Sequence, residues 1–136
     1  MYEKPFHVEI ITPQRVLYRG EATSVSAPGV KGGFQILYNH APLLAEFEIG
    51  KLIVKDTSGK DRVYATSGGF LEVNKNEVVV LADTAESPEE IDADRAKVAL
   101  ARASDRLRVR AEGLDTERAR ASVFRAVNRL RVAQLR

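Results

Sequence analysis

Six arginines and one aspartate in the C-terminal third are spaced so that helices would gather them. Asp92, Arg95, Arg102 and Arg106 fall at relative positions 0, 3, 10 and 14, which keeps them near one side of a helix. Arg118, Arg125 and Arg129 share one side of a second helix in the same way. If the two helices close with those sides adjacent, several guanidinium groups converge around one carboxylate. Converging guanidiniums repel unless an anion lies between them, and a polyphosphate would both fill the gap and hold the helices together. The competing reading is pairing within each helix, Asp92 with Arg95 and Asp105 with Arg108, at a few tenths of a kcal/mol per pair. Spacing alone leaves both open.

Other chemistry is poorly supported. Cysteine is absent, which excludes disulfides, thiolate metal sites and cysteine nucleophiles. The two histidines, His7 and His40, lie 33 residues apart with no carboxylate pattern joining them. His40, in Asn39-His40-Ala41-Pro42, reads as a loop residue making a local hydrogen bond. Gly29, Gly32 and Gly33 are followed by no Gly-Lys-Ser/Thr and open no GxGxxG helix, so they read as turn glycines. No serine sits in a G-x-S-x-G context, and nothing argues for a catalytic site.

The elements that must position the arginines are set by a change of character at Ser87-Pro88. Before it the chain is β-branched and glycine-punctuated. Phe6, Val8 and Ile10 alternate with His7, Glu9 and Ile11 as in a half-buried strand. Short β-type runs recur at 16–18, 23–27, 34–37, 43–49, 52–55, 62–66, 70–73 and 78–82, separated by glycine, proline and asparagine turns. Many short strands at close spacing predict a small β-sandwich or barrel. After Ser87 the strand signals stop. Ser87 can cap, Pro88 suits a first helical position and Glu90 can close a capping box, so a helix is expected from there to about Ala111 or Glu112, with Gly113 as its left-handed stop. A second helix is expected from Asp115, its N-cap, nearly to Arg136. The short connection predicts an antiparallel hairpin. Ala119, Val123, Ala126, Val127, Leu130 and Ala133 form its apolar stripe on the second helix. Ile91, Val98, Ala99, Ala103 and Leu107 form a weaker one on the first. Alanine buries little area, so the hairpin should be marginal without a ligand or partner, and able to move. The chain therefore divides into a small β-sandwich or barrel at 1–86 and a helical hairpin at 87–136, with Glu86 to Glu89 as the expected hinge.

The 136 residues carry 44% hydrophobic and 29% charged side chains, a globular composition. No apolar run approaches the roughly 18 residues of a membrane span, and Met1-Tyr2-Glu3-Lys4 does not begin a signal peptide, so a soluble, cytoplasmic protein is expected. The overall charge of +2 hides an asymmetry: residues 1–86 carry 9 Lys+Arg against 11 Asp+Glu, residues 87–136 carry 12 against 8. All the tail cations but Lys97 are arginine, whose planar fork grips phosphate or carboxylate at two points. An arginine-rich nucleic-acid-binding module is the alternative from another class. Against it, Phe124 is the tail's only aromatic, and a tail of +4 is a weak duplex binder.

The whole chain, essentially residues 5–135, resembles the epsilon subunit of bacterial F-type ATP synthase. The residues that carry the resemblance are Val8–Pro13, the stretch Ile36–Leu44 with His40-Ala41-Pro42-Leu43-Leu44, then Ser67-Gly68-Gly69-Phe70-Leu71-Glu72-Val73, Val80-Leu81-Ala82-Asp83 and Asn128-Arg129-Leu130. The resemblance implies a non-catalytic rotor subunit on the cytoplasmic face of the bacterial plasma membrane. Its sandwich would bind the gamma subunit and rest on the c-ring. Its hairpin would either fold on the sandwich or extend toward the alpha and beta subunits, where it inhibits ATP hydrolysis. No nucleic acid is implied. Some members bind ATP through a motif Ile/Leu-Asp-x-x-Arg-Ala, present here as Ile91-Asp92-Ala93-Asp94-Arg95-Ala96. The other positions implied for ATP are Glu86, Arg102, Arg125 and Arg129, with ATP a regulatory ligand and no residue assigned to magnesium. Arginines would hold phosphate oxygens, Asp92 and Glu86 would accept from base or ribose donors or orient the arginines, and Ile91 would supply an apolar contact. One segment departs from the family: Tyr38-Asn39 stand where Pro-Gly is common, and Gln35 where a small residue is.

Overall fold

The computed structural model describes residues 4–109, 113 and 115–136. The first part forms nine strands: β1 (Phe6–Ile11), β2 (Val16–Ala27), β3 (Phe34–Ile36), β4 (Leu43–Phe47), β5 (Gly50–Asp56), β6 (Asp61–Thr66), β7 (Gly69–Asn74), β8 (Glu77–Ala82) and β9 (Ala85–Glu86). A single 3-10 turn over Pro88–Glu90 leads to two helices, α1 (Ala93–Val109) and α2 (Thr116–Ala133).

The strands are hydrogen-bonded in the order β4-β7-β8-β1-β2-β5-β6-β9, with β3 added to β2. All pairs are antiparallel except β1 with β8, which run parallel from His7 opposite Glu77 to Ile11 opposite Leu81. One buried cluster takes Val8 and Ile10 from β1, Val25 from β2, Phe47 from β4, Leu52 and Val54 from β5, Leu71 from β7 and Val80 from β8. Strands so far apart in the hydrogen-bonded order share one core only if the sheet folds over itself, so the sandwich expectation holds. The long strand β2 serves both layers. A bulge between Ala22 and Ser24 shifts its register against β5. Its inward face then changes from Ala22 and Ser24 to Val25 and Ala27, as a one-residue slip requires.

Two backbone positions explain sequence features. At Gly69, φ is 153° and an added Cβ would lie 2.0 Å from the Leu81 carbonyl oxygen and 2.9 Å from the Phe47 ring. Strands β7 and β8 can reach Phe47 only because that side chain is missing. Asn39 takes φ 62°, the left-handed conformation that glycine would adopt most easily. Its N–H donates to Asn76 Oδ1 at 2.7 Å, and Asn76 Nδ2 donates back to Asn39 Oδ1 at 2.9 Å. This reciprocal pair holds Asn39 in that conformation and ties the β3–β4 loop to the β7–β8 turn. His40 makes the expected local hydrogen bond, Nδ1 to the Ala41 carbonyl at 2.7 Å.

The helical part starts later than the sequence predicts. Ser87 does not cap an α-helix: its hydroxyl donates to Glu90 Oε1 at 2.8 Å, and the 3-10 turn ends with Ile91 extended at ψ 125°. Asp92 is the cap of α1, its Oδ1 accepting from the Arg95 N–H at 3.0 Å. A carboxylate immediately before a run of helix formers wins over a serine followed by proline and two glutamates, because it also opposes the helix dipole. The expected end of the first helix, Ala111 or Glu112, lies outside the described residues. Asp115 caps α2 as predicted, accepting from the Arg118 N–H at 3.1 Å, and Gly113 is left-handed at φ 81°.

The inner seam of α1 also differs. Val98 and Ala99 are exposed, whereas Ala96 and Ala103 are buried and Leu100 and Leu107 half-buried. In α2 the buried residues are Ala119, Ala126, Val132 and Ala133, with Val123, Val127 and Leu130 half-buried. Val132, which the sequence reading leaves out, is fully buried because it points at the sandwich and not at α1. It joins Ile91, Ala133 and Ala65 in a second small core, with Val63 and Ala93 at its edge.

Candidate functional site

The arginines sit in a repeating relation to the inward alanines. Arg95 precedes Ala96 and Arg102 precedes Ala103, with Arg106 three residues after. Arg118 precedes Ala119 and Arg125 precedes Ala126, with Arg129 three residues after. When two antiparallel helices face each other through those alanines, residues that precede the seam fall on the same flank of both. That flank opens toward the sandwich, since Arg125 and Arg129 line a cleft with Ala65, Thr66, Ser67, Thr84, Glu86 and Asn128.

At this base end of the flank the polar groups are interlocked. Arg129 Nε donates to Glu86 Oε1 at 2.8 Å, joining α2 to the last strand of the sandwich. Arg125 Nη2 donates to Ser122 Oγ at 3.0 Å. Asn128 Nδ2 donates to the Gly50 carbonyl at 2.6 Å and lies 3.5 Å from that of Thr66. Beneath them the hydroxyl of Thr66 donates to the Thr84 carbonyl at 2.9 Å and that of Thr84 to Ser67 Oγ at 2.7 Å. The cleft these groups enclose is about 10 Å³, room for nothing larger than a water molecule. Farther along the flank, Arg106 and Arg118 line a larger cleft of about 320 Å³ with Asp115, Ala119 and Ser122.

The structure thus gathers Glu86, Arg125 and Arg129 directly. Arg95 and Arg102 stand on the same flank, on the exposed surface of α1. Among the described residues Arg95, Arg102, Arg106, Arg118 and Arg125 take part in no ion pair, while Arg129 pairs with Glu86 and Arg108 with Asp105 at 3.2 Å. Of the two intrahelical pairs expected from spacing, the second forms. The first does not, because the Asp92 carboxylate is used on the backbone of Arg95. Ile91 and Ala96 are buried, Ile91 in the small core under α2 and Ala96 in the seam.

Sequence reasoning missed three contributors. Asn128 carries the dock of α2 on the sandwich, and its signal was a lone amide between Arg125 and Arg129 on an inward position. The hydroxyls of Thr66, Ser67 and Thr84 form the floor, with no signal in their own spacing. Arg15, in the β1–β2 turn, bonds to Glu90 across 75 residues, a pairing only the fold creates.

Elsewhere, Leu44, Phe70 and Leu81 stand exposed at 72%, 51% and 53% on the outer face of the sandwich. Phe70 lies opposite Glu46 on one side and Leu81 on the other, and Leu44 opposite Glu72. An apolar patch rimmed by carboxylates is an unusual surface for a free-standing domain. No helix among the described residues is long and apolar enough to cross a membrane.

Comparison with known proteins gives these features a context. Residues 5–88 match the family described as ATP synthase, Delta/Epsilon chain, beta-sandwich domain, and residues 89–134 match its long alpha-helix domain. The ATP synthase epsilon chain of Syntrophomonas wolfei is 49% identical over 112 residues, 82% of each chain. That of Moorella thermoacetica is 46% identical over 107 residues, 79% of this chain and 80% of the relative. In fold, the chain is similar to one in the Euglena gracilis mitochondrial ATP synthase, in a structure of its OSCP/F1/c-ring, with a TM-score of 0.78 at 20% identity over 97% of this chain and 82% of that one.

Proposed function

The chain belongs to the epsilon-chain family of the F-type ATP synthases, and from that membership we propose that it is a non-catalytic rotor subunit whose hairpin senses ATP. In this reading the sandwich binds the gamma subunit and rests on the c-ring, on the cytoplasmic face of the bacterial plasma membrane. It passes proton-driven rotation to the catalytic head. The apolar patch of Leu44, Phe70 and Leu81 supports a stalk partner, since a buried interface removes that area from water at about 25 cal/mol per Å².

The observation that carries the ATP reading is the row of guanidinium groups on one flank, five of them without carboxylate partners among the described residues. Such a row is self-repelling and is relieved by a polyanion. The donor set suits ATP: Arg95, Arg102, Arg125 and Arg129 for phosphate oxygens, and Glu86 and Asp92 as acceptors for base or ribose. Ile91 and Ala96 shape the backbone on which Asp92 and Arg95 stand. The cleft at Glu86 is too small for a nucleobase, so binding requires Arg129 to leave Glu86 and the base of the hairpin to widen. ATP bound to the folded hairpin then stabilises it by RT ln(1+[L]/Kd) and draws population from the extended form. When ATP falls, the hairpin is released toward the alpha and beta subunits, where it inhibits hydrolysis.

Calorimetric titration of the full chain with ATP and with ADP, each with and without magnesium, tests the reading. Saturable ATP binding is expected, with a rise in the melting temperature of the hairpin, and Arg125→Ala with Arg129→Ala is expected to abolish both. Melting that millimolar ATP leaves unchanged would sink the sensor while leaving the rotor role intact.

A further inference from the structure

The segment between sandwich and hairpin is bonded to the sandwich more firmly than a hinge requires. Ala85 and Glu86 are paired to Thr66 and Ala65 of β6. Pro88 is buried. Glu90 uses its two carboxylate oxygens on opposite sides: Oε1 accepts from the Ser87 hydroxyl at 2.8 Å, and Oε2 accepts from Arg15 Nη2. Arg15 is itself held, because Thr12 N–H donates to its carbonyl at 2.9 Å and its own N–H donates to Thr12 Oγ1 at 3.3 Å. Within the turn, the Glu90 N–H donates to the Ser87 carbonyl at 3.1 Å. Ile91 comes next, and it packs on both bodies: on Ala65 of the sandwich and on Val132 and Ala133 of α2. Its extended backbone, followed by the helix cap at Asp92, is the first place where the chain can turn without breaking a bond to the sandwich.

We infer that Arg15 anchors the linker to the sandwich through Glu90, so that the hairpin pivots at Ile91-Asp92 and the 3-10 turn stays behind when the helices leave. This rests on the reading that the hairpin moves. It shifts the pivot away from Ser87-Pro88, where the composition changes. It also assigns Arg15 a positioning role. With the linker fixed up to Glu90, Asp92 and Arg95 begin every excursion from one place on the sandwich, and the returning hairpin finds Glu86 in register with Arg129.

The chain has no cysteine, so introduced pairs can be spin-labelled without background. One pair, Glu72→Cys with Glu89→Cys, reports the linker against the sandwich; another, Glu72→Cys with Arg108→Cys, reports the hairpin. Val132→Asp, which puts a charge into the small core and leaves the sandwich core untouched, releases the hairpin without any nucleotide. In that background the hairpin distance is expected to broaden while the linker distance stays single and narrow. Adding Arg15→Ala is expected to broaden the linker distance too, and the charge swap Arg15→Glu with Glu90→Arg to restore it. A linker distance that broadens with Arg15 in place, or stays narrow without it, overturns the proposal. The effect of ATP on the hairpin distance in the otherwise unaltered labelled chain reports separately on the sensor reading, so the two can fail independently.

Discussion

Single residues decide how firmly the hairpin sits on the sandwich. Asn128 donates to backbone oxygens of Gly50 and Thr66, and replacing it with alanine leaves both acceptors short of a partner at a part-buried site. At about 1–3 kcal/mol for such a loss, Asn128→Ala should lower the melting of the hairpin while leaving the sandwich transition in place, seen as a separation of helical and β signals in circular dichroism. Glu90 is a second control point. Partial burial pushes its carboxyl up, but the Ser87 hydroxyl and the Arg15 guanidinium outweigh that and hold it below its ordinary value. A folded value below the unfolded one means that the anchor contributes fully above the ordinary carboxylate range and is lost as pH falls through the lowered value. Acid titration should therefore mobilise the linker at low pH, and Glu90→Gln should remove that step; a step that persists in the variant would point to another carboxylate. At this scale the sequence was partly legible. The arginine spacing was visible because helical geometry fixes it. Arg15 and the hydroxyl floor were not, because their neighbours come from strands far away in the chain.

Elements carry the next layer of control, above all the alanine seam between α1 and α2. Ala96 and Ala103 on one helix and Ala119, Ala126 and Ala133 on the other recur every seven residues, so small side chains let the two backbones approach closely. Close approach is what brings the arginine flanks together. Ala126→Leu should wedge the helices apart, destabilise the hairpin by about 1–3 kcal/mol and weaken ATP binding although no ligand-facing group changes; unchanged affinity would show that the flanks need not be close. Strand positions were legible from alternation and turn residues, and β1 follows its predicted phase throughout. Helix boundaries were less so. The start of α1 was misplaced because Ser87-Pro88-Glu89-Glu90 has the residue types of a cap, whereas the competing cap at Asp92 is better placed. The inner face of α1 was misread because alanines lie all around that helix, and with so little contrast the stripe could be drawn along either side.

Across the whole molecule, stability is unevenly divided. The sandwich owns a continuous core with Val8, Ile10, Val25, Leu52, Val54, Leu71, Val78 and Val80 fully buried. The hairpin rests on it through Ile91, Val132, Ala133 and a few polar contacts. Hydrogen exchange should accordingly show two tiers, with amides of β1, β2, β5 and β8 protected to the global limit and those of α1 and α2 exchanging through local opening. ATP should raise protection in α1 and α2 alone. Uniform protection in both parts would contradict a detachable hairpin.

The parallel pairing of β1 with β8 has a consequence for how the chain is made. β1 leaves the ribosome about 70 residues ahead of its second neighbour, β8. At roughly 5–20 residues per second, one edge of β1 waits several seconds for its partner. During that interval β1 is paired only with β2, and its other edge leaves a row of unpaired backbone groups open to other chains. The helices emerge after β8, onto a sandwich that it has only just closed. Birth order therefore makes the stationary part of the molecule first and the moving part afterwards.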